Sequence, residues 1–395
     1  MTTQVLIAGG GIGGMAAALA CARAGWQVRL YERAAVFGEV GAGIQMGPNV
    51  MRVLSEWGLA PKLDTVVAYP PRLQVRQAIT GRELGVLSLG SAMVERYGAP
   101  YATVHRADLH ELLLGAVQSS SGATLYAGRT IHEFEQMSES VCLRLEDGLE
   151  VEGEALIGAD GLWSVVRSQL LQDGPPRVPG HLAYRAMVSQ AQLPQALRSQ
   201  QITAWLGPRL HVVQYPVRRG EWLNVVAIVH GHVHGSLEDW DHGANVADLR
   251  AAIGHVCGEL RALIEAIPAW RLWVLCDRPP VSGADQMVRG HVALLGDAAH
   301  PMRPYLAQGA GMAIEDAAVL GRELARARDG IVSIPTLLQR YALARWERNA
   351  RVQARSVRNG GIFHMEGPMA WARDASMRLL GERLLDVPWL YQGGL

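Results

Sequence analysis

The sequence predicts an α/β fold built around a parallel sheet that binds a dinucleotide. Three observations near the start of the chain support this prediction. Residues 5–8 form a short apolar run with the composition of a buried parallel strand. A glycine-rich turn follows, and then an alanine-rich helix that stops at Gly25. A second strand finishes in Glu32. Strand, turn, helix, strand and acid in this order are a stronger signal than the glycines alone.

The glycine-rich turn fits the pattern G-x-G-x-x-G at Gly9, Gly11 and Gly14. In such a turn the first glycine permits a tight bend, the second lets the backbone approach a pyrophosphate, and the third lets the helix pack closely. The helix N-terminus offers free N–H groups and positive potential to the phosphates. Glu32 is placed to accept hydrogen bonds from an adenosine ribose. The alternative is a glycine-rich turn that only closes a packed βαβ unit.

Composition narrows the class of protein. The 395 residues are enough for about two to three domains. Hydrophobic residues make up 49% of the chain, which supports a large buried core. Lys+Arg and Asp+Glu both number 37, and this balance argues against a nucleic-acid-binding protein. The four cysteines lack the spacing of a metal site, so we expect free thiols in a reducing compartment. With no apolar run long enough to span a bilayer, we expect no membrane partner and a cytoplasmic protein.

The pattern of strands and helices predicts two interleaved, discontinuous domains and a helical tail. The domains are predicted at 1–69, 100–180 and 277–330 for the dinucleotide-binding domain, at 70–99 and 181–276 for a mixed-sheet substrate domain, and at 331–395 for the C-terminal helical segment. Two local features are predicted within the first domain. A three-stranded β-meander is expected at 123–126, 129–136 and 141–146, and Asn49 is expected to cap a helix over residues 50–57.

Three further motifs accompany the first turn. Arg106 begins an amphipathic helix. A Gly-Ala-Asp-Gly motif at 158–161 follows a buried strand and is followed by Ser164 and Arg167. A second buried strand ends in Gly-Asp-Ala-Ala-His-Pro at 296–301. Because ligands of open α/β folds bind at the carboxyl ends of the strands, the motifs are expected to share one site.

In these motifs the chain resembles the single-component (class A) FAD-dependent aromatic hydroxylases, over nearly its whole length. The class includes the salicylate and 4-hydroxybenzoate hydroxylases. The resemblance implies a Rossmann-like FAD-binding domain of the glutathione-reductase type. The segments at 37–43 and 207–216 and the Trp-rich tail resemble the 3-hydroxybenzoate 6-hydroxylases. The segments at 47–51 and 312–317 resemble the 6-hydroxynicotinate 3-monooxygenases.

The resemblance implies a flavoprotein monooxygenase with FAD as cofactor and NADH or NADPH and O₂ as co-substrates. It would hydroxylate a phenolic aromatic carboxylate, such as 3-hydroxybenzoate or salicylate, through a flavin hydroperoxide. The alternatives are a hydroxylase of a hydroxypyridine carboxylate such as 6-hydroxynicotinate, a flavin oxidoreductase without oxygen insertion, and a non-catalytic dinucleotide carrier. No metal is required, and a homodimer is the expected assembly.

The resemblance also assigns residues to the cofactor. Asp297 would hold the ribityl chain, although an aspartate at this position could instead cap the next helix. That helix begins near Gly309 and Ala310, and its N–H groups could stabilise negative charge on reduced flavin. The remaining assignments are Arg106 to the pyrophosphate, Gln45 to the flavin edge, Arg33 to the same site as Glu32, and Asp160 to a bridge between flavin and nicotinamide. Arg167 is equally compatible with a functional and a surface role.

The predicted substrate residues lie on a strand over 211–215. Its alternation puts His211 and Tyr215 on one face, with Val213 between them. His211 resembles the base that deprotonates the phenol, and an ordinary histidine pKa near ~6.5 suits that task. The alternative is a sheet histidine bonded to backbone. Tyr215 is predicted to contact the substrate, and Tyr305 to lie near the reacting ring.

A tract with alternating histidines, at His230, His232 and His234, has the spacing of a possible metal-binding site. We expect it to be a solvated turn, because it follows the end of a strand and has no nearby carboxylate before Glu238.

Overall fold

The computed structural model of the chain describes residues 4–38, 41–232, 237, 243–329 and 332–393. The strands are β1 (Gln4–Ala8), β2 (Gln27–Glu32), β3 (Gly43–Met46), β4 (Arg72–Gln77), β5 (Glu83–Ser88), β6 (Ala102–His105), β7 (Ala123–Ala127), β8 (Ile131–Gln136), β9 (Val141–Leu145), β10 (Glu150–Gly153), β11 (Ala155–Gly158), β12 (His181–Ser189), β13 (Ile202–Gly207), β14 (Leu210–Val217), β15 (Trp222–His230), β16 (Arg271–Val274), β17 (Val288–Arg289) and β18 (Val292–Leu294). The helices are α1 (Ile12–Arg23), α2 (Pro48–Glu56), α3 (Ala60–Leu63), α4 (Gly90–Tyr97), α5 (Arg106–Gln118), α6 (Val165–Leu171), α7 (Val246–Ile253), α8 (Gly258–Glu265), α9 (Gly309–Ala325), α10 (Ile334–Phe363), α11 (Gly367–Leu380), α12 (Glu382–Leu385) and α13 (Pro388–Tyr391).

The first sheet has six strands in the order β17-β18-β11-β1-β2-β7. All neighbours are parallel except β17 and β18. The apolar residues 5–8 of β1 are fully buried between β2 and β11, as expected of a central parallel strand. α1 packs closely on α9, where a Cβ added to Gly321 would lie 2.9 Å from the Cβ of Ala20. The carboxyl ends of β1, β11 and β18 therefore lie side by side and open into the three predicted glycine motifs.

The second sheet has seven strands in the order β16-β12-β15-β14-β13-β4-β5. One of its faces packs in a core with α7 and α8, through residues such as Val212, Leu249 and Leu260. The opposite face of β12, β14 and β15 contributes to a cavity shared with the first sheet. The strands alternate between these two environments, which is the pattern predicted for residues 211–215.

The predicted α/β architecture with two sheets and a helical C-terminal region is confirmed, while the exact domain boundaries stay predictions. Two local predictions were wrong. β7 joins the six-stranded sheet beside β2, and the three-stranded meander consists instead of β8, β9 and β10. Asn49 does not cap α2, whose N-cap is Gly47. It lies inside the helix, buried, and its side chain donates to Glu315.

The C-terminal helix α10 is tied to α9 by buried ion pairs. Arg345, which is fully buried, donates to Glu315 at 2.9 Å and to Asp316 at 2.7 Å. Its neighbours hold the pKa of Glu315 and of Asp316 below the usual range despite burial. Removing one partner of such a set typically costs about 3–5 kcal/mol, so this contact fixes α10 on the first domain.

Two further expectations can be compared with the structure. All four cysteines are free thiols, as predicted. Among the described residues, no helix combines the length and apolar character needed to cross a membrane. Residues 39 and 40, from the segment that resembles the 3-hydroxybenzoate 6-hydroxylases, lie outside the described residues, as do His234 and Glu238.

Candidate active site

The β1–α1 turn sits directly against the turn that follows β11. Gly9 has a φ of +95°, and a Cβ added there would lie 2.5 Å from the carbonyl oxygen of Ala159. A Cβ added to Gly14 would lie 1.9 Å from the carbonyl oxygen of Gly9. Only glycine fits at these two positions, because the neighbouring atoms are backbone and cannot move aside. The sequence motif is therefore a physical requirement of the turn.

The N-terminus of α1 is open to a ligand. Its N-cap is Gly11, and no side chain caps the helix. Glu32, at the end of β2, accepts hydrogen bonds from the backbone N–H of Gly10 at 2.6 Å and of Ala34 at 2.8 Å. The carboxylate is thereby held beside the phosphate-binding turn, in the place expected for a ribose partner. Arg33 is exposed next to it and does not line the cavity described below.

A cavity of about 280 Å³ continues from this turn to the second sheet. It contains eight of the residues predicted to bind cofactor or substrate: Gly11, Gln45, Arg106, His211, Tyr215, Asp297, Gly309 and Ala310. Gln45 accepts a hydrogen bond from the hydroxyl of Tyr101 at 2.7 Å. The cavity thus joins a dinucleotide-type turn to a pocket in the second sheet, a shape that suits an extended cofactor with a ring at one end.

The N-terminus of α9 forms one wall of the cavity. Its N-cap, Gln308, makes no side-chain capping hydrogen bond, and Gly309 and Ala310 line the cavity. The first N–H groups of α9 are consequently available to a ligand that carries negative charge. Two open helix N-termini, those of α1 and α9, therefore face the same elongated space.

The opposite wall comes from three neighbouring strands of the second sheet. On β14 the residues that face the cavity are His211, Val213 and Tyr215. In register with Val213 lies Val226 on β15, and in register with Val226 lies Arg185 on β12. This wall is a patch of apolar side chains with an imidazole, a phenol and a guanidinium around it. Such a patch suits a flat ring that carries polar substituents.

Arg185 is a cation for which the described residues supply no carboxylate partner. Its Nε is buried and makes no hydrogen bond. The guanidinium lies 4.8 Å from the centre of the Trp273 ring. Burial, together with the nearby Arg106, lowers the pKa of Arg185 to about 10, and Tyr215 opposes this shift. Arg185 therefore stays charged at neutral pH and is suited to bind an anion. Arg185 was not predicted from the sequence, although an arginine inside the apolar run of β12 was a usable signal.

His211 is buried, with 3% of its surface exposed. Its Nδ1 lies 2.7 Å from Nε2 of His364, so Nε2 is the ring nitrogen left for a ligand in the cavity. Burial, reinforced by His181, lowers the pKa of His211 to about 3. The ring is therefore neutral at neutral pH and able to accept a proton. Burial also raises the pKa of Tyr215, so its hydroxyl stays protonated as a hydrogen-bond donor.

Three of the residues considered from the sequence do not line the cavity: Asp160, Arg167 and Tyr305. Asp160 does not line the cavity; its carboxylate accepts from Ser164 Oγ at 2.5 Å and from the N–H of Val166 at 3.2 Å at the start of α6. Arg167 is neither a surface residue nor a cavity residue, because it is buried and donates to the carbonyl oxygens of residues 298 and 299. Tyr305 lies behind the cavity wall, with its ring centre 5.0 Å from that of His211 and its hydroxyl bonded to His181.

The histidine tract also differs from the prediction. His230 is not in a solvated turn; it ends β15, and its Nε2 lies 2.8 Å from Nδ1 of His364. His232 is exposed. Ring nitrogens of His181, His230 and His364 come within 4.8 Å of one another, but those of His230 and His364 are paired by this hydrogen bond. His364, at the end of α10, carried no sequence signal.

A dinucleotide site that runs from one helix N-terminus to a ring-sized pocket at another is the arrangement of a flavin-binding enzyme. The glycine contacts, the placement of Glu32 and the two open helix N-termini all fit FAD. The chain belongs to the FAD binding domain family, which matches residues 2–356. It is an FAD-dependent aromatic hydroxylase, as its similarity to the following proteins shows.

The chain is 38% identical to the 3-hydroxybenzoate 6-hydroxylase of Polaromonas naphthalenivorans (strain CJ2), covering 98% of this chain and 95% of that protein. It is 35% identical to the 6-hydroxynicotinate 3-monooxygenase of Bordetella bronchiseptica, over 92% of this chain and 93% of that protein. Among solved structures, Klebsiella pneumoniae HpxO complexed with FAD and uric acid is similar with a TM-score of 0.85 and 27% identity, over 97% of this chain and 94% of that one. The class predicted from the motifs is confirmed.

Proposed function

We propose that the protein hydroxylates a phenolic aromatic carboxylate of the 3-hydroxybenzoate or salicylate type, with NADH or NADPH and O₂ as co-substrates. The observation that carries this proposal is Arg185, a charged side chain at the cavity wall whose buried Nε has no hydrogen-bond partner. A substrate carboxylate would satisfy this group, which otherwise costs free energy in the folded protein. The four free cysteines favour a reducing compartment, the cytoplasm, as its location.

The chain's own residues would do four things for this reaction. Arg185 would hold the carboxylate, and the apolar side chains of Val213 and Val226 would place the ring and exclude water. His211 Nε2 would take the phenol proton, which makes the ring electron-rich ortho and para to its oxygen. The hydroxyl of Tyr215 would donate a hydrogen bond to the substrate. FAD, when bound, supplies the redox and oxygen chemistry.

Residues named earlier would hold the cofactor itself. Gly11 and Arg106 would contact the pyrophosphate, Glu32 the ribose and Asp297 the ribityl chain. The N–H groups of the first turn of α9 would stabilise negative charge on the flavin ring. The cavity lining and the open helix ends support the assignments of Gly11, Arg106, Asp297 and α9. The assignment of Glu32 is supported by its hydrogen bonds beside the β1–α1 turn.

The test is a panel of hydroxybenzoates and hydroxypyridine carboxylates. Each acid is compared with the corresponding amide, which has no carboxylate. We expect a phenolic acid to accelerate NADH or NADPH oxidation and to yield hydroxylated product, and its amide to do so only at much higher concentration. Stimulation by a hydroxypyridine carboxylate alone would favour the alternative 6-hydroxynicotinate-type substrate. Hydrogen peroxide without hydroxylated product from every compound would contradict the proposal.

His211 has its own test within the same assay. We expect His211→Ala to lower turnover roughly 100-fold or more, the usual contribution of a general base. Wild-type turnover with an unchanged pH profile would reject this role.

A homodimer stays a prediction.

A further inference from the structure

Four histidines form a connected layer that begins at the cavity wall with His211 and continues behind it. We call this layer the histidine cluster: His181, His211, His230 and His364. They come from β12, β14, β15 and the residue after α10. Two hydrogen bonds join three of the rings in a line. His211 Nδ1 lies 2.7 Å from His364 Nε2, and His364 Nδ1 lies 2.8 Å from His230 Nε2. His364 thus uses one ring nitrogen for each neighbour.

The line of rings runs from the buried cavity wall towards solvent. His211 is 3% exposed and His364 is 6% exposed, whereas His230 is only partly buried. The fourth member, His181, stands beside the line and pairs with the hydroxyl of Tyr305. A neutral imidazole has one N–H donor and one bare acceptor nitrogen, so a line of such rings can pass a proton from end to end.

Burial keeps these rings neutral at rest. Burial is the main cause that lowers the pKa of all four histidines, and their mutual proximity adds to it for His181, His211 and His364. The other groups that face the cluster are Arg303 and Asp277 near His181, Arg209 and Glu366 near His230, Arg373 near His364, and Tyr305. Asp277 acts on His181 and Glu366 acts on His230, whereas the groups that shift the pKa of His211 include no carboxylate among the described residues.

This arrangement creates a difficulty for a base at His211 that acts alone. An ordinary phenol has a pKa near ~10, while the pKa of His211 is about 3. A proton that stayed on His211 would be a buried charge with no counter-ion beside it. A route that carries the charge on to the partly exposed His230 removes this difficulty.

Resting on the proposed function, we propose that His364 is a proton-relay residue that connects the substrate base His211 to His230 and solvent. The phenol O–H bond breaks and His211 Nε2 gains the proton. His211 passes its Nδ1 proton to His364 Nε2, and His364 passes its Nδ1 proton to His230 Nε2. His230 then releases its Nδ1 proton to water. The net change is one phenolate and one proton in solvent; the three rings end neutral with reversed tautomers, and nothing is oxidised or reduced.

The test follows proton loss directly, before any redox step. The probe is 3-hydroxy-4-nitrobenzoate, whose phenolate absorbs visible light. It is mixed with the oxidised FAD-loaded enzyme in a stopped-flow instrument without NADH, at a pH below the pKa of its nitrophenol group, so that the free probe still carries the phenol proton. We expect His364→Gln to slow phenolate formation roughly 100-fold with little change in the dissociation constant of benzoate, which has no phenol proton. The wild-type rate should fall in D₂O with a curved dependence on deuterium content, because several protons move. In His364→Gln that curvature should be lost.

A second variant and a matched control keep the outcome clear. His230→Gln, at the partly exposed end, should also be slow, and imidazole added to the buffer should restore part of its rate. His232→Gln removes an exposed histidine of the same tract and should match wild type. FAD content of each variant establishes that it is folded.

Three results would overturn the relay. Wild-type rates in both His364→Gln and His230→Gln, with hydroxybenzoates still stimulating NADH oxidation by wild type, would refute the relay alone. One equivalent of a transition metal in purified holoenzyme, removed by a chelator, would show that the ring nitrogens serve an ion instead. Wild type that no hydroxybenzoate stimulates would refute the proposed function and the relay with it.

Discussion

Replacing Arg185 by methionine separates substrate recognition from folding. Methionine has a similar length and no charge, so the variant removes the unpaired guanidinium while it keeps packing against Trp273. If a substrate carboxylate binds Arg185, its loss should cost about 2–4 kcal/mol, as for a buried charge-assisted pair. That corresponds to a rise in the dissociation constant of roughly 30- to 1000-fold.

The same substitution should have the opposite effect on the ligand-free protein. The Nε of Arg185 is buried without a hydrogen-bond partner, and Arg106 adds repulsion. Removing this charge should therefore raise the free energy of unfolding by about 1 kcal/mol. A variant that gains stability and loses affinity for the substrate is what we expect when a residue serves function at the expense of stability.

The assay is equilibrium titration of the FAD-loaded enzyme with 3-hydroxybenzoate and with 3-hydroxybenzamide, monitored by flavin absorbance. We expect Arg185→Met to lose affinity for the acid and to change little for the amide. Arg185→Lys keeps the charge but not the planar guanidinium, so its affinity for the acid should lie between those of wild type and Arg185→Met. An equal loss for acid and amide, or no loss for either, would refute the reasoning.

Three further predictions concern the turn, Asp160 and the histidines. Gly9→Ala places a Cβ against the carbonyl of Ala159 at a φ of +95°, so this variant should not retain flavin, measured as the ratio of flavin to protein absorbance. The control is Gly115→Ala in α5, where the added Cβ meets open space, and this variant should retain its flavin. Asp160→Ala should lose the hydrogen bonds at the start of α6 and lower the free energy of unfolding in urea by about 1 kcal/mol. If these bonds are its main role, the KM for NADH stays unchanged; a selective rise in that KM would support the predicted role of Asp160 between flavin and nicotinamide. Burial lowers the pKa of His211 from its ordinary value of about 6.5 to about 3, so between these two pH values the unfolded chain binds a proton at this ring that the folded chain does not, and this ring should lower the free energy of unfolding by roughly 1 kcal/mol per pH unit. His211→Leu should make the wild-type slope shallower by about that amount, while His181, His230 and His364 keep their own contributions; an unchanged slope would contradict the lowered pKa.

Asn49 shows how a local signal can mislead. An asparagine before an amphipathic run is a good N-cap signal, and the prediction placed it there. In the structure its Nδ2 donates to Glu315 at 2.7 Å and to Gln308 at 3.1 Å. Along the chain, Glu315 lies 266 positions and Gln308 lies 259 positions after Asn49. No window of sequence around Asn49 contains the groups that decide its role.

The sequence by itself determined the features that depend on local backbone or on short periodicity. The β1–α1–β2 unit follows from glycines at positions where no other residue fits. The shared face of His211 and Tyr215 follows from the two-residue repeat of a strand. The tertiary structure alone decided which distant side chains meet. His364 pairs with His211 across 153 positions, and Tyr305 lies behind the wall instead of in the cavity. The physical reason is that hydrogen-bond and charge partners are chosen by packing between elements, which no single stretch of chain encodes.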